Sequence, residues 1–415
     1  MTDESSPLLS VRGLKKHYPL TSGIFRREVG RIRAVDGVDF ALYPGETLGI
    51  IGESGCGKST TALSTLRLEE PTAGTIRFDG KDVQSFSKTE MRRYRRRVQL
   101  VLQDPADSFN PRIPVGQSVG EPLLVHGMDD SERRRAIVEV VLERVGLDAS
   151  AADQYPHAFS GGEKQRIALA RALVLNPDII VADEPVSALD GETKMNVLSL
   201  LEDIQQSYDI SILFISHDID TVRRFCDRVA VMYLGQIVER GPVPDILDDP
   251  DHPYTRLLKS SIPDLDPDTA LTKLGGNPLT DMVPEASDPP TGCRFHPRCR
   301  SIIQPDDVSL PTDEWHRIIA FSLWLRGLDP DESTQTEEFE DHPTIDRLPS
   351  PKSIADPTIA SVLEETVTAL NNDDISTAQR TIAPILISPC ERSEPHLQPG
   401  PSGWEVSCHH YTLDE

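Results

Sequence analysis

The residues most able to do chemistry begin at Gly52. The run Gly52-Glu53-Ser54-Gly55-Cys56-Gly57-Lys58-Ser59-Thr60 fits the phosphate-loop spacing G-x-x-x-x-G-K-[ST]. Glycines at 52, 55 and 57 let backbone N–H groups turn inward around phosphate oxygens, and a following helix adds its positive dipole end. Lys58 supplies a point charge to the β- and γ-phosphates, Ser59 is the expected Mg²⁺ ligand, and Ser54 and Thr60 complete the cradle. Cys56 reads as a small filler, not a reactive thiol. The second half of such a site is DIIVADE at 178–184, an apolar run ending in two carboxylates. Asp183 is expected to hold the Mg²⁺ shell, and Glu184 to orient and deprotonate an attacking water. Two adjacent carboxylates are weak evidence alone. A domain's length downstream of a phosphate loop, they carry weight.

The elements that must position these groups follow from patterning. LLSVRGL and VDFALYPGETLGIIG read as strands, the second punctuated by Pro44-Gly45, and TTALSTLRL has helical spacing after the loop. Residues 104–175 are helix-rich, DDSERRRAIVEVVLERVGL being the clearest amphipathic stretch. DIIVAD, SILFIS, VAVMYL and QIVERG then alternate with helices through KMNVLSLLEDIQQS and DIDTVRRFC. That alternation implies an α/β domain with a mostly parallel sheet, and the helix-rich stretch implies a subdomain inserted in it. Pro, Asp, Thr and Gly dominate about 261–292, which reads as a linker. Beyond it, a cysteine-bearing tail is interrupted by an acidic insert at about 301–389. The insert is expected to hold helices through TDEWHRIIAFSLWLRG and DPTIASVLEETVTALNN, with a disordered DPDESTQTEEFEDHPT between them.

Composition narrows the setting. The 415 residues exceed what one core usually organises. No apolar run approaches the roughly 18 to 20 residues needed to cross a bilayer, and MTDESSPLLS lacks a signal-peptide layout. A cytosolic chain is expected, serving a membrane only by docking to a partner that crosses it. Lys+Arg 42 against Asp+Glu 67 gives a formal net charge of -25, which repels nucleic acid. The basic run Arg92-Arg93-Tyr94-Arg95-Arg96-Arg97 reads as a solvated helix face. The acidity resembles the salt adaptation of a halophile. Six cysteines, at 56, 226, 293, 299, 390 and 408, are not expected to form structural disulfides in such a compartment.

Between the two nucleotide elements lies Phe159-Ser160-Gly161-Gly162-Glu163-Lys164-Gln165-Arg166, which resembles the signature motif of ABC ATPases. Most members carry Gln where this chain has Glu163. The resemblance extends over 8–260 and implies a P-loop ABC ATPase of α/β class, with a mixed sheet core, a helical subdomain at about 104–175 and a small cysteine-containing extension at 293–415. It implies ATP and Mg²⁺, and a head-to-tail dimer in which Ser160, Gly161 and Gly162 cap the γ-phosphate held by the opposite subunit. Tyr18 matches the aromatic that stacks on adenine. Gln103, in VLQDP, matches the glutamine that senses Mg²⁺ and the attacking water. Ser187-Ala188-Leu189-Asp190 resembles the loop joining the two active sites, and His217, in FISHD, matches the histidine that contacts the γ-phosphate.

YPLTSGIFRREVGRIRAVDGV, QDPADSFNPR, HPYT at 252–255 and PPTGCRFHPRC at 289–299 look like the dipeptide/oligopeptide importer ATPases, and more like their F-type chain. Nickel and sugar transporters share these features. The resemblance implies permease subunits, a second ABC ATPase (or a second copy), an extracytoplasmic solute-binding protein acting indirectly, no nucleic acid, and a peripheral place on the cytoplasmic face of the membrane. ABC proteins of DNA repair would add a long coiled coil, and those of translation a second ATPase unit. Neither is visible. In the family, four cysteines in a compact tail resemble an iron–sulfur site, so Cys293, Cys299, Cys390 and Cys408 suggest [4Fe–4S], with zinc or no metal as the other outcomes. The insert separates Cys299 from Cys390 by about ninety residues. Loop-closure cost rises only logarithmically, so the flanks can still meet.

Overall fold

The computed structural model describes residues 6–23, 27–103, 109–260, 283–328, 348, 354–372, 374–384 and 386–411. The chain forms two compact units, Met1–Pro250 with Ser402–Glu405, and Asp251–Pro401 with Val406–Glu415.

In the first unit, β1 (Leu9–Ser22) and β2 (Arg27–Leu42) make a long antiparallel hairpin, with Tyr18 opposite Ile32. β4 (Ala73–Phe78) and β5 (Lys81–Asp82) complete a four-stranded sheet in the order β2-β1-β4-β5. The second sheet carries the nucleotide motifs. Its members include β3 (Thr47–Ile51), β6 (Val98–Val101), β7 (Ile179–Asp183), β8 (Ser211–Ser216), β9 (Arg228–Tyr233) and β10 (Gln236–Pro242). Their order is β10-β9-β3-β8-β7-β6. All are parallel except β10, which runs antiparallel to β9, so the sheet is mixed as expected. Every residue of β3, β7 and β8 is buried. Such strands are covered on both faces, which explains their unbroken apolar runs.

The helices of this unit are α1 (Lys58–Thr65), α2 (Lys88–Arg97), α3 (Val115–Val125), α4 (Ser131–Arg144), α5 (Gly161–Leu173), α6 (Gly191–Tyr208), α7 (Ile219–Phe225) and α8 (Val243–Asp248). α3, α4 and α5 form the expected helical subdomain. Val119, Leu142, Ile167 and Leu169 are fully buried in it. The basic run falls on α2 and is only partly a free solvated face: Tyr94 is buried with its hydroxyl donating to Thr65 O at 2.9 Å. Arg95 donates to Arg67 O at 2.9 Å, and Arg97 pairs with Asp178 and, at 3.2 Å, with Asp79.

The second unit begins at Asp251, ten residues before the expected linker. It contains α9 (Pro253–Ser260), α10 (Thr312–Arg326), α11 (Pro357–Asn371) and α12 (Ile375–Ile382). α10 and α11 are the two expected insert helices. α12 was not anticipated, because ISTAQRTI is short and polar. The insert is closed at its own ends and tied through Arg326 to the cysteine-bearing segment beyond it. Trp315, 1 % exposed, donates its indole N–H to Ile302 O at 3.0 Å, and the Ser388 hydroxyl donates to Ile303 O at 2.6 Å. Arg326 Nη1 donates to Glu391 Oε2 at 2.6 Å. The expected disordered stretch and most of the expected linker, 261–282, lie outside the described residues. The tail does not stay in one unit. Ser402–Glu405 belongs with the first, where Arg240 holds Glu405 through contacts of 2.6 and 2.9 Å and Trp404 Nε1 donates to Glu239 Oε1 at 3.1 Å.

Candidate active site

Registry across the parallel strands puts the chemical groups at one edge of the sheet. Ile51 lies opposite Ser216, Asp183 opposite Ile215, and Val101 opposite Ala182. The residues that follow these strands therefore emerge side by side: Gly52, His217, Glu184 and Gln103. Ligands of open α/β sheets bind outside the carboxyl ends of the strands.

The loop after β3 needs its glycines. Gly57 has φ 107°, and a Cβ there would come within 2.0 Å of Ala34 O; at Gly52 it would come within 2.1 Å of Met232 O. Gly57 also stands as the N-cap of α1, so the first turn's N–H groups face the loop. Lys58 is 5 % exposed, and its Nζ donates to Gly52 O at 2.9 Å and Glu53 O at 3.0 Å. An ammonium folded onto its own loop in this way can exchange carbonyls for phosphate oxygens. The Cys56 thiol is pushed up by burial, as befits a filler.

Ser59 Oγ donates to Asp183 Oδ1 at 3.1 Å, joining two of the three expected Mg²⁺ ligands, the third being Gln103. Asp183 is 7 % exposed. Burial raises its carboxyl above the ordinary range, and the Glu184 charge adds to that, against the lowering by Ser59 and Lys58. A hydroxyl and a buried carboxylate offer oxygen donors of the kind Mg²⁺ prefers, and a cation there would offset the burial. The fit is good.

Glu184 adopts φ 47°, and its N–H donates to Ile215 O at 3.0 Å, so the backbone turns sharply while still joined to β8. One carboxylate oxygen gathers two partners. Gln103 Nε2 donates to Glu184 Oε2 at 3.0 Å, and His217 Nδ1 lies 2.9 Å from the same oxygen. Asp218, next in sequence, pairs with Lys194 and caps α7 through Asp220 N and Thr221 N. That anchors the loop carrying His217.

The signature residues form a second cluster. Ser160 is the N-cap of α5 in a reciprocal capping box with Glu163. A Cβ at Gly161 would lie 3.8 Å from Leu189 Cδ2, and one at Gly162 would strike Thr193 Cγ2 at 2.3 Å. The motif thus packs against the loop Ser187–Asp190 and the start of α6. Asp190 caps that helix, accepting from Thr193 N at 3.0 Å and Thr193 Oγ1 at 2.9 Å. Its carboxylate serves the helix, which sequence reasoning missed although D-x-x-T is a capping pattern. Tyr18 lies half-buried on β1 with Lys16 Nζ 4.7 Å from its ring centroid. Sequence reasoning also passed over Lys16 and Lys194, whose lone charges carry no motif.

In the second unit the four tail cysteines are drawn together. Cys293 N donates to Cys390 O at 2.8 Å. Burial pushes the Cys293 thiol up to about 12, and the charges of Cys390 and Cys408 push in the same direction. Burial also raises Cys299, again with Cys293, Cys390 and Cys408 adding to it. Backbone N–H groups oppose the rise: those of Phe295 and His296 at Cys293, Ser301 at Cys299 and Ile303 at Cys390. None of the six cysteines is in a disulfide among the described residues. Yet among the described residues no group of three or more His, Cys, Asp or Glu side chains is arranged to hold a metal ion. The four cysteines lie near one another, but among the described residues they do not form a metal site.

Comparison with known proteins decides the family. Residues 35–187 match the ABC transporter family, and 238–304 match the C-terminal region of oligopeptide/dipeptide transporters. The chain is 47% identical over 299 residues to the oligopeptide transport ATP-binding protein AppF of Bacillus subtilis, spanning 70% of this chain and 89% of the relative. The chain belongs to the ABC transporter ATP-binding proteins. Another member, the dipeptide transport ATP-binding protein DppF of Haemophilus influenzae, is 44% identical over 314 residues, 75% of this chain and 94% of the relative. Among solved structures, cbiO1 of Clostridium perfringens, part of the ABC transporter complex cbiONQ, aligns with TM-score 0.51 and 28% identity over 59% of this chain and 91% of its own. A dimeric ATP-binding cassette in a post-hydrolysis state with ADP and Pi aligns equally well, over 57% and 98%. The α/β ABC ATPase fold and an ATP-hydrolysing activity follow from family membership.

Proposed function

We propose that this chain is the ATP-hydrolysing subunit of an importer of dipeptides or oligopeptides, acting as an F-type partner beside a second ABC ATPase. The observation that carries the chemistry is the convergence of Gln103 and His217 on one oxygen of Glu184, next to the Ser59–Asp183 pair. The substrate class rests on the oligopeptide/dipeptide match at 238–304 and on relatives named for peptide transport. Nickel and sugars remain the competing cargo.

In this reading Ser59 and Asp183 would hold Mg²⁺, which would supply charge neutralisation to the phosphates. Lys58 and the loop N–H groups bind the phosphates, and Tyr18 stacks on the adenine. Gln103 and His217 hold the Glu184 carboxylate in place, and Glu184 orients the attacking water and takes its proton. Ser160, Gly161 and Gly162 of one subunit cap the ATP of the other. Ser160 and Gly161 are exposed, as a surface acting in trans requires. Among the described residues no helix is long and apolar enough to cross a membrane, so separate permease chains supply the pathway. The subunit then sits at the cytoplasmic face, with the solute-binding protein acting from the far side.

The test is a membrane pull-down from native cells with this chain as bait. Two multi-spanning chains and a second ATPase are expected. Recovery of ribosomes or DNA machinery without a permease would remove the transport function and leave the ATPase standing.

The four tail cysteines are read as ligands of a [4Fe–4S] cluster. A single tetrahedral zinc with bonds of 2.3 Å holds its sulfurs about 3.8 Å apart. Cluster thiolates each bind their own iron and stand wider. What supports the reading is that the four cysteines of the family pattern, far apart in sequence, fall near one another in the second unit. Backbone N–H groups aimed at the sulfurs are a known lever on cluster potential. Iron and sulfide in anaerobic protein are expected. Zinc alone, or no metal, would overturn the assignment.

A further inference from the structure

At position 163 the signature loop carries Glu where most members have Gln, a variant that recurs in the family, and the structure shows what that residue does. Ser160 Oγ donates to Glu163 Oε2 at 2.7 Å, and Ser160 N donates to the same oxygen at 2.8 Å. Glu163 N in turn approaches Ser160 Oγ at 3.4 Å. Glu163 is half-buried, and these hydrogen bonds from Ser160 hold its carboxyl below the usual range, with Arg166 adding to the effect. It is therefore a carboxylate at neutral pH.

We infer that Glu163 is a positioning residue that restrains ATP-driven closure, by holding the Ser160 hydroxyl and by setting a like charge beside the γ-phosphate that Ser160 must reach. This rests on the reading of Ser160 as a γ-phosphate contact in trans. A serine hydroxyl has one proton to donate. While it goes to Glu163 it cannot go to a phosphate oxygen, and a bond to an ionised acceptor is roughly twice as strong as one to a neutral amide. The geometry compounds the effect. With 2.7 Å between Ser160 Oγ and Glu163 Oε2, a phosphate oxygen bonded to Ser160 stands about 5 Å from that carboxylate oxygen. Like charges that close weaken the closed state. Arg166 offsets part of the charge while its Nη1 is engaged at 3.2 Å with Val145 O. A glutamine at this position presents the same acceptor to Ser160 N and Oγ and none of the charge.

The experiment uses the assembled transporter and compares wild type, Glu163→Gln and Ser160→Ala. Half-saturating ATP and kcat are read at several salt concentrations, with the thermal midpoint as a control for folding. Glu163→Gln is expected to lower half-saturating ATP about fivefold with kcat within about twofold, since a charged hydrogen bond exceeds a neutral one by that order. The gap should close as salt rises from roughly 0.05 to 0.5 M, because screening relieves only the charged residue. Ser160→Ala is expected to raise half-saturating ATP. If it does not, the trans reading of the signature loop fails, and the Glu163 proposal with it. If Ser160→Ala weakens closure while Glu163→Gln leaves half-saturating ATP unchanged or raises it, the trans reading stands and the Glu163 proposal is wrong.

Discussion

Replacing Glu184 by glutamine should separate binding from chemistry. The change is isosteric, and the oxygen that now receives Gln103 Nε2 at 3.0 Å and lies 2.9 Å from His217 Nδ1 can be reproduced by the amide oxygen. The scaffold should therefore persist. Two hydrogen bonds lose charge assistance, worth about 1 kcal/mol each. Against that, the repulsion that raises Asp183 disappears, so the net stability change should stay within about 1 kcal/mol. What is lost is the proton acceptor. A positioned general base contributes about 10²–10⁴ in rate, or about 2.7 to 5.5 kcal/mol of barrier. ATP hydrolysis by the assembled transporter should fall by that factor while ATP affinity holds, so closed dimers accumulate. Steady-state phosphate release and ATP-dependent dimerisation on a sizing column read the two quantities. Hydrolysis within threefold of wild type, at unchanged affinity, would refute the assignment of the base.

Other perturbations follow from the same geometry. Gly57→Ala puts a Cβ against Ala34 O at φ 107°, so the loop must shift; ATP binding followed by a fluorescent analogue should fall at least about tenfold. Burial holds His252 at about 3 against 6.5, with Nδ1 accepting from Tyr254 N at 3.0 Å and the ring bonded to Ser407 backbone. The unfolded imidazole protonates below about pH 6.5 and the folded one does not. This residue's contribution is therefore intact above that pH and is lost as pH falls, by up to about 1.4 kcal/mol per unit until pH 3 is reached. Urea unfolding at pH 6.5 and 4.5 should show wild type losing about 2 kcal/mol more than His252→Gln over that interval. Trp315→Phe strands Ile302 O, the acceptor of the indole N–H at 3.0 Å. It should destabilise the second unit by about 2 kcal/mol in the same assay, and an unchanged midpoint would show the insert to be a passive appendage.

Local chemistry made much of this protein legible. A phosphate loop is a backbone device whose glycines sit at fixed spacing, so Gly52 to Thr60 declares itself without tertiary help. The strands DIIVAD and SILFIS announce burial on both faces by unbroken apolarity, and the two insert helices begin and end within a residue or two of their expected limits. Family resemblance, carried by Ser160 to Gly162, then ordered Gln103, Glu184 and His217. Other features depend on which distant segments meet, and no local signal encodes that. Strand registry is what places Gln103 and His217 on a single oxygen of Glu184. The return of Ser402–Glu405 to the first unit turns on a two-pronged contact from Arg240, 165 residues away in sequence. The cysteines at 299 and 390 come together across an insert whose two helices were legible in the sequence, but nothing local says that the ends of that insert meet. Each of these is a long-range contact whose closure entropy is offset by burial, and burial is a property of the assembled fold.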